Sequence, residues 1–428
     1  MTQFMQCFSV SFFQKAFFQF LVLLIPLFLC QYTTKPGFKA SKGTSAAPQI
    51  VYSANVIQHE GNALKHFFEQ LQQLERKKDR KVRILQIGDS HIQADFFSGE
   101  VRKRYQNDPR FGNGGRGFIF PYTAAKTNNP FNYQITTKGN WEPKRSVTKT
   151  SFSRWGISGI NAITTDSKAE ISIQLVPYNG YTPSAFSHVR VFYPIDDPQN
   201  FEVTLPKQAS LIESAYASPH GCMAFDLKTP QTSLDIGLKK TDSRQVRFLM
   251  QGILLENNSP GIVYNATGLN GAEVNTYFRC EDFDKHVKSL NPDLIIISLG
   301  TNDAFVSNFD SELYKANLKY MIRKIRMTVP KASILLTSPN DTYYYGQKPN
   351  KNSLAVVEKL EEVSREMRVG YWDFFAVMGG LGTIKRWEKQ GLAQPDMVHL
   401  TDRGYQLQGR LLYKALDDAY KNFKDHTK

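Results

Sequence analysis

From Gly261 to the C-terminus the chain alternates short apolar runs with longer amphipathic ones, and no other feature narrows its fold so far. Runs at Ile262–Asn265, Asp293–Leu299, Ala332–Thr337 and Val369–Asp373 read as strands, and stretches near Asp282–Leu290, Ser311–Thr328, Ser353–Met367 and Asp402–Phe423 read as helices. Strands separated by helices of this length imply βαβ units and a parallel sheet. Right-handed crossovers then bring the carboxyl ends of the strands to one edge, where open α/β sheets bind ligands.

The pattern begins earlier, before a long interruption. Val56 to Leu74 predicts an amphipathic helix, Lys81 to Gly88 a buried strand that stops at Gly88-Asp89-Ser90, and Asp95 to Asn107 a further helix. A serine on a turn freed by glycine is thus delivered to a strand's carboxyl end, with a helix N-terminus favouring negative charge beside it. The glycine-rich Phe111–Phe118 follows a helix and lacks the Gly-Lys-Ser/Thr ending of a phosphate loop, so it predicts a turn bordering the site. Between Tyr133 and Asn257 period-two segments such as Ile171–Val176, His188–Tyr193, Phe201–Leu205, Leu234–Leu238 and Val246–Met250 replace helices. They predict a β-sandwich inserted into the α/β domain.

The 428 residues carry a net charge of +14, and Lys15 is the one charged residue before Cys30. Such a surface favours acidic partners, anionic glycans and envelope polymers among them. Nucleic acid is set aside because the Lys and Arg are scattered rather than gathered in a basic helix or an aromatic-interleaved motif. Residues 1–30 read as a signal peptide or an N-terminal membrane anchor, since the apolar stretch Ala16–Cys30 is shorter than a membrane span of about twenty residues. Residues 31–50 form a polar linker, and export to the periplasm or cell envelope is expected, whether the leader is cleaved, lipidated or retained. Of four cysteines, only Cys222 and Cys280 belong to the body; they have no metal spacing and are as compatible with two free thiols as with a disulfide.

Three further polar clusters fall at predicted strand ends or loops. Gly268-Leu269-Asn270-Gly271 could bring a backbone N–H close to a substrate, and Gly300-Thr301-Asn302-Asp303 offers a carboxamide donor for a developing oxyanion. Asp396-x-x-His399 precedes the last helix, and this spacing lets one turn bring the carboxylate to one ring nitrogen while the other faces a serine. Each cluster alone is an ordinary turn or cap; their occurrence in order, on one edge, is what points to a site. The aromatics Tyr343-Tyr344-Tyr345 are expected to be exposed, either as a sugar-stacking surface or as a packed loop.

Taken together, Ser90, Gly271, Asn302 and Asp396 with His399 resemble the serine, glycine, asparagine and Asp-x-x-His blocks of the SGNH or GDSL-like hydrolases, with His91 standing where the family's name has leucine. The resemblance covers residues 51–132 and 258–428, leaving 133–257 as a carbohydrate-binding-like insert. It implies a flavodoxin-like parallel sheet flanked by helices, a catalytic set of Ser90, Asp396 and His399, an oxyanion hole of Ser90, Gly271 and Asn302, and no metal or cofactor. Gly-Asp-Ser-His, the following Ala94–Gly99, the glycine-rich turn and the insert resemble more narrowly the bacterial peptidoglycan O-acetylesterases. The substrate this implies is an O-acetylated polysaccharide, acted on by a monomer. A polysaccharide O-acetyltransferase using the same serine and a non-catalytic glycan-binding envelope protein are the alternatives.

Overall fold

A seven-stranded sheet runs through the molecule in the order Ile57–Gln58, Gly370–Trp372, Ser333–Thr337, Leu294–Ser298, Lys81–Gly88, Gly261–Gly268 and Asn113–Gly115. All neighbours are parallel except Ile57–Gln58, which runs antiparallel to Gly370–Trp372. Without the two short edge strands the order is that of a flavodoxin-like doubly wound sheet, and its topological switch point lies between the serine strand Lys81–Gly88 and Leu294–Ser298. The computed structural model describes residues 50–58 and 62–426, all within one compact unit. The expected leader, and the linker apart from Ile50, lie outside the described residues; among those described, no helix is long and apolar enough to cross a membrane.

Central strands buried on both faces should read as continuous apolar runs, and Leu294–Ser298 does. Ile84, Ile296 and Leu335 face helices Lys65–Lys77, Phe96–Asn107 and Asp402–His426 through Phe67, Phe97 and Leu412. Leu85, Ile297 and Leu336 belong to the opposite core, with Val287, Ile322 and Leu360 of helices Phe283–Leu290, Ser311–Thr328 and Asn352–Met367.

The region after Tyr133 is all-β, as its period-two pattern predicts, but it holds more than two sheets. A four-stranded sheet orders Glu202–Thr204, Ser233–Lys239, Glu170–Leu175 and Tyr133–Lys138; a five-stranded sheet orders Ile212–Ser218, Cys222–Gln231, Phe186–Phe192, Gly252–Glu256 and Gly117–Ile119; and a three-stranded sheet joins Phe248–Met250, Ile160–Thr164 and Glu142–Arg145. Gly117–Ile119 comes from before the predicted insert. The glycine-rich turn therefore splits between two sheets, with Asn113–Gly115 in the main one. Core residues of the β region, among them Ile171 and Phe225, form one cluster with Leu85 and Ile87 of the serine strand.

The helix expected from Val56 is shorter than its pattern: it spans Lys65–Lys77, while Ile57 pairs with Trp372 at the sheet edge. Apolar residues there serve strand pairing instead of a helical face. Cys222 and Cys280 are free, buried thiols. The tyrosine run is not an exposed cluster: Tyr343 is buried, the Tyr344 hydroxyl donates to the carbonyls of Ala304 and Val306 at 2.8 Å, and Tyr345 alone is exposed.

A buried ion cluster ties the serine-bearing segment to the β region. Asp95 adopts a left-handed conformation (φ 57°) and accepts from Arg102 at 2.7 and 2.9 Å, from Arg116 at 2.8 Å and from Asn132 at 2.8 Å. Burial works against the charge on Asp95, but the two guanidiniums outweigh it and hold the carboxyl well below the usual range. Asp95→Asn would leave two buried guanidiniums without a counter-charge, and should lower unfolding stability by about 3–5 kcal/mol in chemical denaturation.

Candidate active site

In one row of the main sheet Gly88 is flanked by Gly268 on one side and Ser298 on the other. The loops that follow these residues carry Ser90, Gly271 and Asn302, so the switch point gathers three of the predicted positions. Ser90 opens the short helix Ser90–Gln93, capped by Asp89, whose Oδ1 accepts from the His91 backbone N–H at 2.9 Å. Gly268 lets the neighbouring loop close on this helix, since a Cβ there would stand 2.4 Å from both the Asp89 carbonyl oxygen and the Gln93 nitrogen. Gly271 sits in the same loop at φ 81°, a conformation glycine adopts without strain.

Ser90 Oγ lies 2.9 Å from His399 Nε2, and His399 Nδ1 lies 2.8 Å from Asp396 Oδ2. The other carboxylate oxygen, Oδ1, accepts from the backbone N–H groups of Val398 and His399 at 2.9 and 3.0 Å. The three-residue spacing thus forms a turn in which Asp396 is held by backbone donors while its free oxygen orients the imidazole. The His399 side chain remains 38% exposed, so the site opens directly to solvent.

The electrostatics follow from burial and partners. Burial disfavours charge on His399, but the hydrogen bond and charge of Asp396, with the charge of Asp89, outweigh it and hold its pKa above the ordinary value of 6.5. Asp396 is likewise pushed up by burial, and brought below its ordinary value by the hydrogen bond and charge of His399 and by the two backbone donors. Asp89 is raised to about 6 because it is buried, despite the His91 N–H and the nearby His399. Burial, with a smaller contribution from Glu273, raises Asp303 to about 7.

Asn302 Nδ2 donates to the Ala272 carbonyl at 3.0 Å and, at a longer 3.3 Å, to Asp89 Oδ2 beside the serine. The structure therefore brings Asn302 to the serine loop with its amide hydrogens already engaged. Gln93 and Asn128 are functional candidates that sequence reasoning did not single out. Gln93 accepts from Asn270 N at 3.0 Å and donates to Asn128 Oδ1 at 2.7 Å, while Asn270 Nδ2 donates to the same Asn128 oxygen at 2.9 Å. They staple the Gly271 loop to the loop that enters the β region, and isolated amides in loops leave no periodic or spacing signal. Among the described residues, no group of three or more His, Cys, Asp and Glu side chains could hold a metal ion.

Comparison with known proteins bears on the family and the fold. The GDSL-like lipase/acylhydrolase family model matches residues 240–407. A solved peptidoglycan O-acetylesterase structure is 24% identical, covers 86% of this chain and 99% of its own, and superposes with a TM-score of 0.71, which shows a shared SGNH hydrolase fold. A lipase/acylhydrolase from Enterococcus faecalis is 20% identical over 37% of this chain and 77% of its own, with a TM-score of 0.31. A GDSL-like lipase from Bacteroides thetaiotaomicron is 18% identical over 36% of this chain and 76% of its own, with a TM-score of 0.29. These two partial superpositions carry no argument of their own. No curated protein sequence matches the chain.

Because Asp396 supplies what raises His399, Asp396→Asn should lower the titration midpoint of the His399 imidazole, followed by NMR of its ring protons. In the unaltered protein that midpoint should lie above 6.5.

Proposed function

We propose that this chain, whose residues 240–407 match the GDSL-like lipase/acylhydrolase family and whose fold is that of an SGNH hydrolase, is a serine esterase that removes O-acetyl groups from peptidoglycan or a related O-acetylated polysaccharide. The observation that carries this reading is the unbroken chain of contacts from Ser90 Oγ through His399 to Asp396 at the switch point of the sheet.

In the reaction, His399 Nε2 takes the Ser90 proton as Oγ attacks the ester carbonyl. Asp396 keeps the Nδ1–H tautomer in place and balances the imidazolium. The oxyanion is received by the N–H groups of Ser90 and Gly271 and by the Asn302 amide, which exchanges its longer bond to Asp89 for the substrate. Each donor is worth about 3 kcal/mol of transition-state stabilisation. His399 then protonates the departing sugar oxygen, leaving acetyl on Ser90. A water deprotonated by His399 attacks that ester, and acetate leaves as the proton returns to Ser90.

The substrate class rests on three supports of unequal kind. The solvent-open His399 suits an acyl group carried on a polymer rather than a ligand that must be engulfed. The net charge of +14 suits an anionic wall polymer. The fold shared with a peptidoglycan O-acetylesterase extends over almost the whole of that chain. Export to the periplasm or cell envelope, with Ala16–Cys30 as leader or anchor, rests on the sequence.

Ser90→Ala should retain the fold by circular dichroism and lose at least about a thousandfold in aryl acetate turnover. The unaltered enzyme should release acetate faster from purified O-acetylated peptidoglycan than from O-acetylated xylan. Equal rates on both polymers would remove the peptidoglycan assignment, and transfer of acetyl to an added sugar in place of acetate release would make the protein a transferase.

A further inference from the structure

His91 follows the serine directly and takes no part in the reaction above, yet it is the side chain packed against the base. Its buried ring stacks on His399 with centroids 5.0 Å apart and 25° between the planes. On its far side the Tyr405 hydroxyl, from the last helix, reaches His91 Nδ1 at 2.8 Å. Burial, reinforced by the neighbouring charge of His399, pushes the His91 pKa down to about 3, so the ring stays neutral.

The hydrogen bond with Tyr405 fixes the ring at Nδ1. Nε2 and Gln408 Oε1 are both buried without a hydrogen-bond partner among the described residues, and both residues line a small cavity of about 20 Å³ behind the serine. That is room for one water to bridge the two groups. The ring is therefore held at Nδ1 by Tyr405, with one face left to His399.

His399 is an imidazolium only while it holds the Ser90 proton. A neutral aromatic face stacked on it favours that charged form over the uncharged one. We propose that His91 is a positioning residue for His399, holding the base between Ser90 and Asp396 and supporting the imidazolium formed as Ser90 gives up its proton. The inference rests on the Ser90–His399 reading above. The other titratable groups facing His399 are Asp396 from its own loop and Asp89 from the serine loop, and neither is changed by substituting His91.

The test compares His91→Leu, which keeps bulk without a ring, with His91→Phe, which restores the ring, by aryl acetate kinetics across pH. His91→Leu should lower kcat about tenfold with KM within about twofold, and should move the acid limb of the pH profile down by roughly half a unit. His91→Phe should stay within about threefold of the unaltered enzyme with its limb in place. A His91→Leu enzyme with unaltered kcat and limb, or Leu and Phe variants equally impaired, would overturn the proposal. Should thermal melts show that His91→Leu does not fold, Tyr405→Phe decides: a fall of about threefold with the limb displaced downward supports the proposal, and unaltered behaviour overturns it. Full activity in Ser90→Ala would instead mean that the esterase reading itself had failed.

Discussion

Gly88, Gly268 and Ser298 lie side by side in the main sheet, and the geometry of the candidate site depends on that register. A slip of one residue in either pairing would turn every side chain of a strand to the opposite face and carry its loop away from the serine. The register is held by apolar side chains on both faces, Ile84 and Ile296 toward one layer of helices and Leu85 and Ile297 toward the other. The last helix completes the assembly by docking against the helix that follows the serine. A Cβ on Gly409 would stand 2.9 Å from the Phe97 carbonyl oxygen, and Tyr405 reaches His91. His399, three residues before that helix, thereby meets a serine 309 positions away.

The β region is inserted in sequence but continuous in packing. It shares a core with the serine strand, its edge strand Gly117–Ile119 takes a hydrogen bond acceptor from Asn265 of the main sheet, and Asp95 binds Arg116 and Asn132 within a few residues of Ser90. Gln93 and Asn128 add a second tie at the rim of the site. The shared core gives the insert a defined orientation to the serine strand, so it is not a tethered module. It also means that removing residues 133–257 would uncover apolar surface of the shared core.

Much of this was legible in the sequence where local rules suffice. The helix Ser311–Thr328 is found with its predicted bounds because its apolar spacing is regular, and Asp396 and His399 meet as their spacing implies. Strands such as Tyr133–Lys138 escaped because only Tyr133 and Ile135 are buried, leaving a polar run with little alternation. Ile57 was assigned to a helix because apolar spacing cannot distinguish a helical turn from an edge strand whose partner, Trp372, is remote in sequence. The environment of His91 is beyond local rules for a related reason: its neutrality comes from burial and from the charge of His399, which the fold alone brings near.

The proposed esterase activity turns on Ser90 being the nucleophile activated by His399 and Asp396. A fluorophosphonate, whose phosphoryl adduct imitates the tetrahedral intermediate and is not released by water, addresses it directly through peptide mass spectrometry. One adduct per chain is expected, on the peptide containing Ser90, with esterase activity lost in proportion to labelling. Labelling at another residue, or full loss of activity with Ser90 unmodified, would contradict it.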